Sequence, residues 1–398
     1  MRVQLANGAP EHFVDTGIFS RFDDKIDAAL FNTGIADDRE ELRVIRCLPP
    51  DKGGLGMPLL DGHHGQRHHL VTSMRTMEFL KLCYPYLVHD HQLLFNSKGL
   101  DVDGTPPDDL VDYIHRLRLR EPEEAPLIIF AKACRQQSDG IDSNSATDFH
   151  QRLVDAGRME DAAKFLSLQG VKLSFASYPS GSRAIFETQI SNKEYIAAMR
   201  SHLFAPIRRG LGEEAFCRCR PEHAVDLSIY PHHASNCSLN GRERTFRHSH
   251  VCRILAKLFR KTSSNSRVTL EPRDAGSSRH PDIAVVEDSG EYHIDVSIVE
   301  PTSTHAISRF DSSATTKGVA AAFMETTKVA KYANTEWPAT VPFVLESTGF
   351  LGKCAEDLLE KVTRDSPHLL KWFKGELSLI LARCEGRMRL HSQSLLVV

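Results

Sequence analysis

Apolar residues recur at helical spacing through much of the first half of the chain. Between about Gly17 and Phe95, Ile26, Ala29 and Leu30 share one face, and Leu70, Met74, Met77, Leu80 and Leu82 form a later stripe. A turn-rich stretch, Cys47-Leu48-Pro49-Pro50-Asp51-Lys52-Gly53-Gly54-Leu55-Gly56-Met57-Pro58, interrupts them. The helical period returns over Phe149–Leu168 and again over Asn192–Leu203. Between these stretches, the acidic, proline-containing segment Asp101–Pro126 predicts a surface excursion, and Asp139–Asn144 predicts a loop.

The pattern changes after residue 249. Val251–Lys261 predicts an amphipathic helix rich in Arg and Lys, followed by short strands at Arg267–Glu271, Ile283–Glu287 and Tyr292–Val299. Asp288-Ser289-Gly290 reads as the turn joining the second and third strands. An alanine-rich helix at Lys317–Ala333, a strand at Val341–Glu346, a helix at Gly352–Thr363 and a last strand at Leu395–Val398 complete the series. The expected class is α+β: an all-helical N-terminal region, then a mixed α/β layer. There is no internal repeat and no low-complexity tract.

Composition adds little until it is taken locally. The 398 residues are 41% hydrophobic and 25% charged, enough for two or three domains with an ordinary soluble core. No apolar run approaches the roughly 18–20 residues that span a membrane. The first residues lack the apolar core of a secretory signal, and nine scattered cysteines argue against a disulfide framework. The expectation is an intracellular, reducing compartment. The net charge of −3 conceals a gradient. Arg200–His280 holds fifteen Lys/Arg against seven Asp/Glu, a balance of +8, whereas Asp101–Phe165 holds eight against fourteen, a balance of −6. A basic segment of this kind suits a polyanion, DNA or alternatively RNA.

The candidate chemistry lies just downstream of that segment. Arg279-His280-Pro281-Asp282 opens one predicted strand, and Asp295 sits inside the next, between Ile294 and Val296. A carboxylate in an otherwise apolar strand is costly unless a partner meets it. Two carboxylates on neighbouring strands suit a hard divalent cation such as Mg²⁺. On the alanine-rich helix, Lys328 and Tyr332 are four residues apart and share a face, with Lys331 on the adjacent line. A lysine so placed would orient water against a phosphodiester.

Upstream, Cys217-Arg218-Cys219 is followed after thirteen residues by His233-Ala234-Ser235-Asn236-Cys237. Three thiolates and one imidazole are a complete tetrahedral set for structural Zn²⁺. His223 and His232 are alternatives to His233. Other clusters carry less. His63, His64, His68 and His69 have no supporting carboxylate, Phe22-Asp23-Asp24 reads as charge at a helix entry, and Gly53-Gly54-Leu55-Gly56 lacks the lysine of a phosphate loop.

Taken in order, Cys217/Cys219, His233–Cys237, Arg247-His248, Pro281-Asp282, Asp295–Ile298, Lys328–Tyr332 and Val341–Val344 resemble the C-terminal region of non-LTR retrotransposon polyproteins that carry a restriction-like endonuclease. Leu345-Glu346-Ser347-Thr348-Gly349 continues the likeness, and Leu48-Pro49 with Gly53–Gly56 resembles the helical linker that follows the reverse transcriptase in such polyproteins. The resemblance implies a helical linker region at 1–200, a zinc-knuckle-like module at 201–247 and a restriction-endonuclease-like α/β/α core of PD-(D/E)xK type at 248–398. It implies Mg²⁺ at Asp282 and Asp295, structural Zn²⁺ at Cys217, Cys219, His233 and Cys237, a DNA substrate, a nuclear location and no reverse transcriptase in this chain. The family's usual lysine, two residues past the second acid, is Ser297 here. Its place would be taken by Lys328 or Lys331, as in members that carry the lysine on the following helix. Tyr332 would support that lysine, and Glu271 would add a carboxylate. The rival expectation is a zinc-dependent nucleic-acid-binding remnant without catalysis.

Overall fold

Strand alternation along Gly290–Val299 turns Ile294 and Val296 one way and Asp295 the other, and a computed structural model shows what each face meets. The structure describes residues 24–26, 28, 39–56, 126–169 and 188–205, and 216–394 apart from 218, 220–224, 228–229, 231, 264, 273–279, 288–289, 309–311, 334, 336 and 338. In chain order the elements are α1 (Arg39–Cys47), α2 (Pro126–Asp155), α3 (Met159–Leu168), α4 (Asn192–His202), β1 (Phe216–Cys217), β2 (Val225–Asp226) and α5 (His233–Asn236). They continue with α6 (Gly241–Thr262), β3 (Arg267–Leu270), β4 (Ile283–Glu287), β5 (Gly290–Val299) and α7 (Thr304–Ile307). The last are α8 (Val319–Tyr332), β6 (Thr340–Glu346), α9 (Lys353–Thr363) and α10 (Pro367–Ser394). Helix and sheet are mixed, as an α+β chain requires.

Two compact units divide the chain: residues 1–32, 46–48 and 57–147, and residues 33–45, 49–56 and 148–398. In the first, the stretch expected to loop at Asp139–Asn144 is instead helical, within α2. Ser143 Oγ donates to the Asp139 carbonyl at 2.7 Å and Thr147 Oγ1 to the Ser143 carbonyl at 2.9 Å. Hydroxyls that would favour a turn bond back one helical turn instead.

The second unit is built on a four-stranded sheet in the order β3-β4-β5-β6. β3, β4 and β5 are antiparallel neighbours, and β6 runs parallel to β5 with Asp295 opposite Pro342. Ile283 and Val285 of β4, Ile294 and Val296 of β5, and Phe343 and Leu345 of β6 form one core with Val251, Leu255 and Phe259 of α6. Leu358 and Leu359 of α9 and Phe373, Leu377, Ile380 and Leu381 of α10 close it. α8 meets β5 and β6 through the opposite face.

Local signals account for the element ends. Ser191 and Glu194 form a reciprocal capping box at the start of α4. Glu243 in the first turn of α6 and Arg260 and Lys261 in its last complement the helix dipole. α9 is capped by another helix: the buried Glu325 of α8 accepts from the Cys354 N–H at 2.8 Å. A Cβ at Gly352 would overlap the Glu325 carboxylate, so this cap requires glycine.

α10 is the main departure from expectation. Residues 367–394 form a 28-residue helix that the sequence pattern did not predict, and the strand expected at Leu395–Val398 lies outside the described residues. So do the four clustered histidines, the excursion at 101–125 and most of the helical stretch between Gly17 and Phe95. α10 packs closely on α4, where a Cβ on Gly386 would overlap the carbonyl oxygen of Glu194. Gly386→Ala therefore lowers unfolding stability by about 1–3 kcal/mol, since backbone cannot yield as a flexible side chain can. Thermal or denaturant unfolding of the full chain measures this, and an unchanged midpoint would contradict the close approach.

Candidate active site and metal centre

Register brings the two acids together. Ile283 pairs with Ile294, and the Asp282 N–H donates to the Ile294 carbonyl at 2.9 Å, which places Asp282 beside Asp295. Asp295 is buried and Asp282 half-buried. Asp282 Oδ2 accepts from the Val296 N–H at 2.6 Å, so its carboxylate is held by the strand that carries its partner.

All three predicted residues of α8 converge on Asp295. Lys328 Nζ forms an ion pair with Oδ2, and Lys331 Nζ donates to Oδ1 at 3.0 Å. The Tyr332 hydroxyl lies 2.5 Å from Oδ1 and accepts from Lys331 Nζ at 2.7 Å. It also stands 2.9 Å from the His280 carbonyl, tying α8 to the approach to β4. Burial alone would push the Asp295 carboxyl up, but bonds from Lys328 and Tyr332 and the Lys328 charge outweigh it and hold it below its ordinary value. Burial, and then the Asp295 carboxylate, push the Tyr332 hydroxyl up, so Tyr332 stays a neutral donor. Ser297 lies two residues beyond Asp295 on the same strand face, so lysines from α8 serve the face where Ser297 supplies none.

Glu271 does not join this group. Its N–H donates to the Asp282 carbonyl at 2.7 Å, but the side chain is exposed and its backbone has φ +49° at the strand end. Its part is backbone pairing, and the expected additional carboxylate is absent from the network of described residues.

Two further groups were not anticipated at the acids. His248 of α6 places Nε2 3.4 Å from Asp282 Oδ2 and 3.1 Å from the Val296 carbonyl. Cys252, one turn further on, has Sγ 3.8 Å from His248 Nδ1. Hydrogen bonding to Asp282, then to Cys252, raises the His248 imidazole to about 10 despite burial. The i, i+4 spacing of His248 and Cys252 was visible in the sequence, but only sheet register brings Asp282 to them.

The Cys/His cluster forms as spaced. The β1–β2 hairpin carries Cys217, α5 carries His233, and Cys237 ends α5. Cys217 Sγ and Cys237 Sγ are 3.6 Å apart, Cys219 Sγ and His233 Nε2 are 3.2 Å apart, and all four ligand atoms lie within 4.8 Å of one another. Ligands at about 2.0–2.3 Å from a tetrahedral Zn²⁺ stand roughly 3.3–3.8 Å apart, close to these two separations, so the set could hold a metal ion. Burial first, and then the Cys237 thiol, push the Cys217 thiol up to about 12, a cost that a bound cation would relieve.

His232 is excluded as a ligand by its neighbours. It is buried, with Nε2 2.7 Å from Asp161 Oδ1 and Nδ1 3.4 Å from Lys164 Nζ. Burial, reinforced by the Lys164 charge, lowers it to about 4, so the ring is neutral, donates to Asp161 and accepts from Lys164. Lys164 also donates to the Ser201 carbonyl at 2.8 Å, and Glu385 accepts from Ser201 and Ser235, each at 2.6 Å. The cluster is thereby anchored on α3, α4 and α10. His223 lies outside the described residues.

No family model matches the chain, and no curated protein matches it. Among the described residues, no helix is long and apolar enough to cross a membrane.

Proposed function

We propose that the chain is a Mg²⁺-dependent endonuclease that hydrolyses DNA phosphodiesters, with the restriction-like fold and non-LTR retrotransposon origin that its motifs suggest. The observation that carries this reading is Asp295. It is a buried carboxylate beside a second carboxylate, and two lysines and a tyrosine from one helix converge on it.

The donor set fits Mg²⁺, because Asp282 and Asp295 offer adjacent hard oxygens on rigid strands. Bound there, Mg²⁺ would supply Lewis-acid stabilisation of the phosphate and a more acidic attacking water. The remaining work falls to the chain. Val296 N–H fixes Asp282, while Tyr332 holds Lys331 and Asp295 in one arrangement. Lys328 and Lys331 orient water and neutralise charge as it grows on the scissile phosphate. On α6, the exposed Arg253, Arg260 and Lys261 would grip backbone phosphates, with salt-sensitive affinity. The Cys/His cluster would carry structural Zn²⁺ as a zinc-knuckle-like module.

Lys328 is the less exposed of the two lysines, at 18% against 33%, and meets Asp295 Oδ2 directly. Lys328→Ala therefore reduces Mg²⁺-dependent plasmid nicking about 100-fold, and more than Lys331→Ala does. Equal activity in both variants and the wild type would remove the lysines from the mechanism. The second reading, nucleic-acid binding without catalysis, draws on one observation: both lysines already pair with Asp295. It predicts salt-dependent DNA binding with no nicking in Mg²⁺.

A further inference from the structure

α6 turns His248 and Cys252, one turn apart, toward the start of β4, where Asp282 stands. His248 Nε2 is 3.4 Å from Asp282 Oδ2, and Cys252 Sγ is 3.8 Å from Nδ1 and 4.0 Å from Nε2. One ligand atom from each residue lies within 4.8 Å of the other two. Around a tetrahedral ion with O, N and S ligands, neighbouring ligand atoms stand about 3.3–3.8 Å apart. The edge from His248 Nε2 to Asp282 already has that length, Cys252 Sγ at 4.0 Å from Nε2 is a few tenths of an ångström long, and its edge to Asp282, within 4.8 Å, closes if the thiol shifts inward. Cys252 is buried and His248 half-buried, so the triad opens to solvent on the imidazole side.

We propose that His248, Cys252 and Asp282 form a second transition-metal site, separate from the Cys/His cluster, that takes Zn²⁺ or a similar first-row ion. An imidazole, a thiolate and a carboxylate select such ions over Mg²⁺, which seeks oxygen alone. Three protein ligands leave the fourth position of a tetrahedral ion open. His248 and Cys252 sit on one rigid helix and Asp282 on a strand start clamped by the Val296 N–H, so the ligands are held before an ion arrives. Ligation through Nε2 exchanges the bond to the Val296 carbonyl for the metal. Asp282 cannot serve this ion and a Mg²⁺ site with Asp295 in the same way, so Zn²⁺ here opposes Mg²⁺-dependent nicking. That last consequence alone rests on the nuclease reading.

The test is metal stoichiometry of the full chain after zinc loading and removal of free metal, with no DNA present. The wild type is expected to retain about two zinc ions, and Cys252→Ala and His248→Gln about one each. Cys237→Ser is also expected to retain about one, and Cys237→Ser combined with Cys252→Ala none. Because Cys252 packs in the core, the partly exposed His248→Gln serves if Cys252→Ala does not fold. About one ion in the wild type, or undiminished zinc in either single variant, overturns the site whatever nicking assays show. If the nuclease reading also holds, added zinc suppresses nicking by the wild type and spares Cys252→Ala.

Discussion

Asp295→Asn is expected to lower the proposed Mg²⁺-dependent nicking of supercoiled plasmid about 1000-fold while DNA binding is kept. The substitution keeps shape and removes charge. In the native arrangement Oδ2 meets the Lys328 ammonium, and Oδ1 takes Lys331 and the Tyr332 hydroxyl. An amide offers one acceptor in place of two, presents an NH₂ group to a lysine, and binds a hard cation far more weakly. Lys328 and Lys331 are both partly exposed and can swing to water, so the variant folds while its active arrangement disperses. Loss of one preorganised electrostatic element of this kind typically costs a factor of 10²–10³, and losing charge and cation affinity together puts the effect at the upper end. DNA affinity at low salt is expected to rise slightly, because the Asp295 charge no longer offsets the partly exposed Lys328 and Lys331. Near-native nicking by Asp295→Asn would show that the carboxylate is structural.

The second large effect concerns the Cys/His cluster. If the cluster holds zinc as proposed, Cys237→Ser is expected to abolish that binding and to unfold the module around the cluster locally. Among the described residues, Cys217, Leu227, Ala234 and Cys237 form the buried apolar centre of this module, with Cys219 and Val225 packed against it, and β1 and β2 have two residues each. A core that small cannot order itself, whereas structural zinc in small modules contributes about 10 kcal/mol or more. The damage then spreads, because His232 and Ser235 belong to the buried network with Asp161, Lys164 and Glu385. Burial, opposed by Glu385, lowers Lys164 to about 8, and Lys164 and Arg389 hold Glu385 at about 2 against burial. Charges so enclosed tolerate little exposure of one partner. Hydrogen exchange by mass spectrometry is expected to show fast exchange over 216–240 with the β3–β6 sheet still protected. Native-like protection after zinc loss would contradict a metal-held module.

Much of the sheet could be read from the chain because its signals are local. Ile294, Val296 and Ile298 alternate, and Gly290 takes φ +139° where β5 begins. The acids and the α8 residues were legible for the same reason, each lying in a short patterned segment. α10 was not. Glu376, Leu377, Ser378, Leu379, Ile380, Leu381 and Ala382 are all buried, so burial encircles the middle of the helix, polar residues included, and no single apolar stripe with a polar opposite face marks it. Asp139–Asn144 misled in the opposite direction, since Ser, Asp, Gly and Asn are turn formers that α2 absorbs. Spacing alone could not separate His232 from His233; burial and the Asp161–Lys164 pair did. Glu271, expected to add a carboxylate, meets Asp282 only through its backbone N–H, and at φ +49° its side chain stays in solvent.

Plasmid nicking by the purified wild type and by Asp282→Ala/Asp295→Ala, each in Mg²⁺ and in EDTA, bears most directly on the nuclease claim. The expected result is nicking by the wild type in Mg²⁺ alone, with none by the double variant under either condition. Nicking that survives in the double variant, or never appears in a wild type that binds DNA, would contradict it.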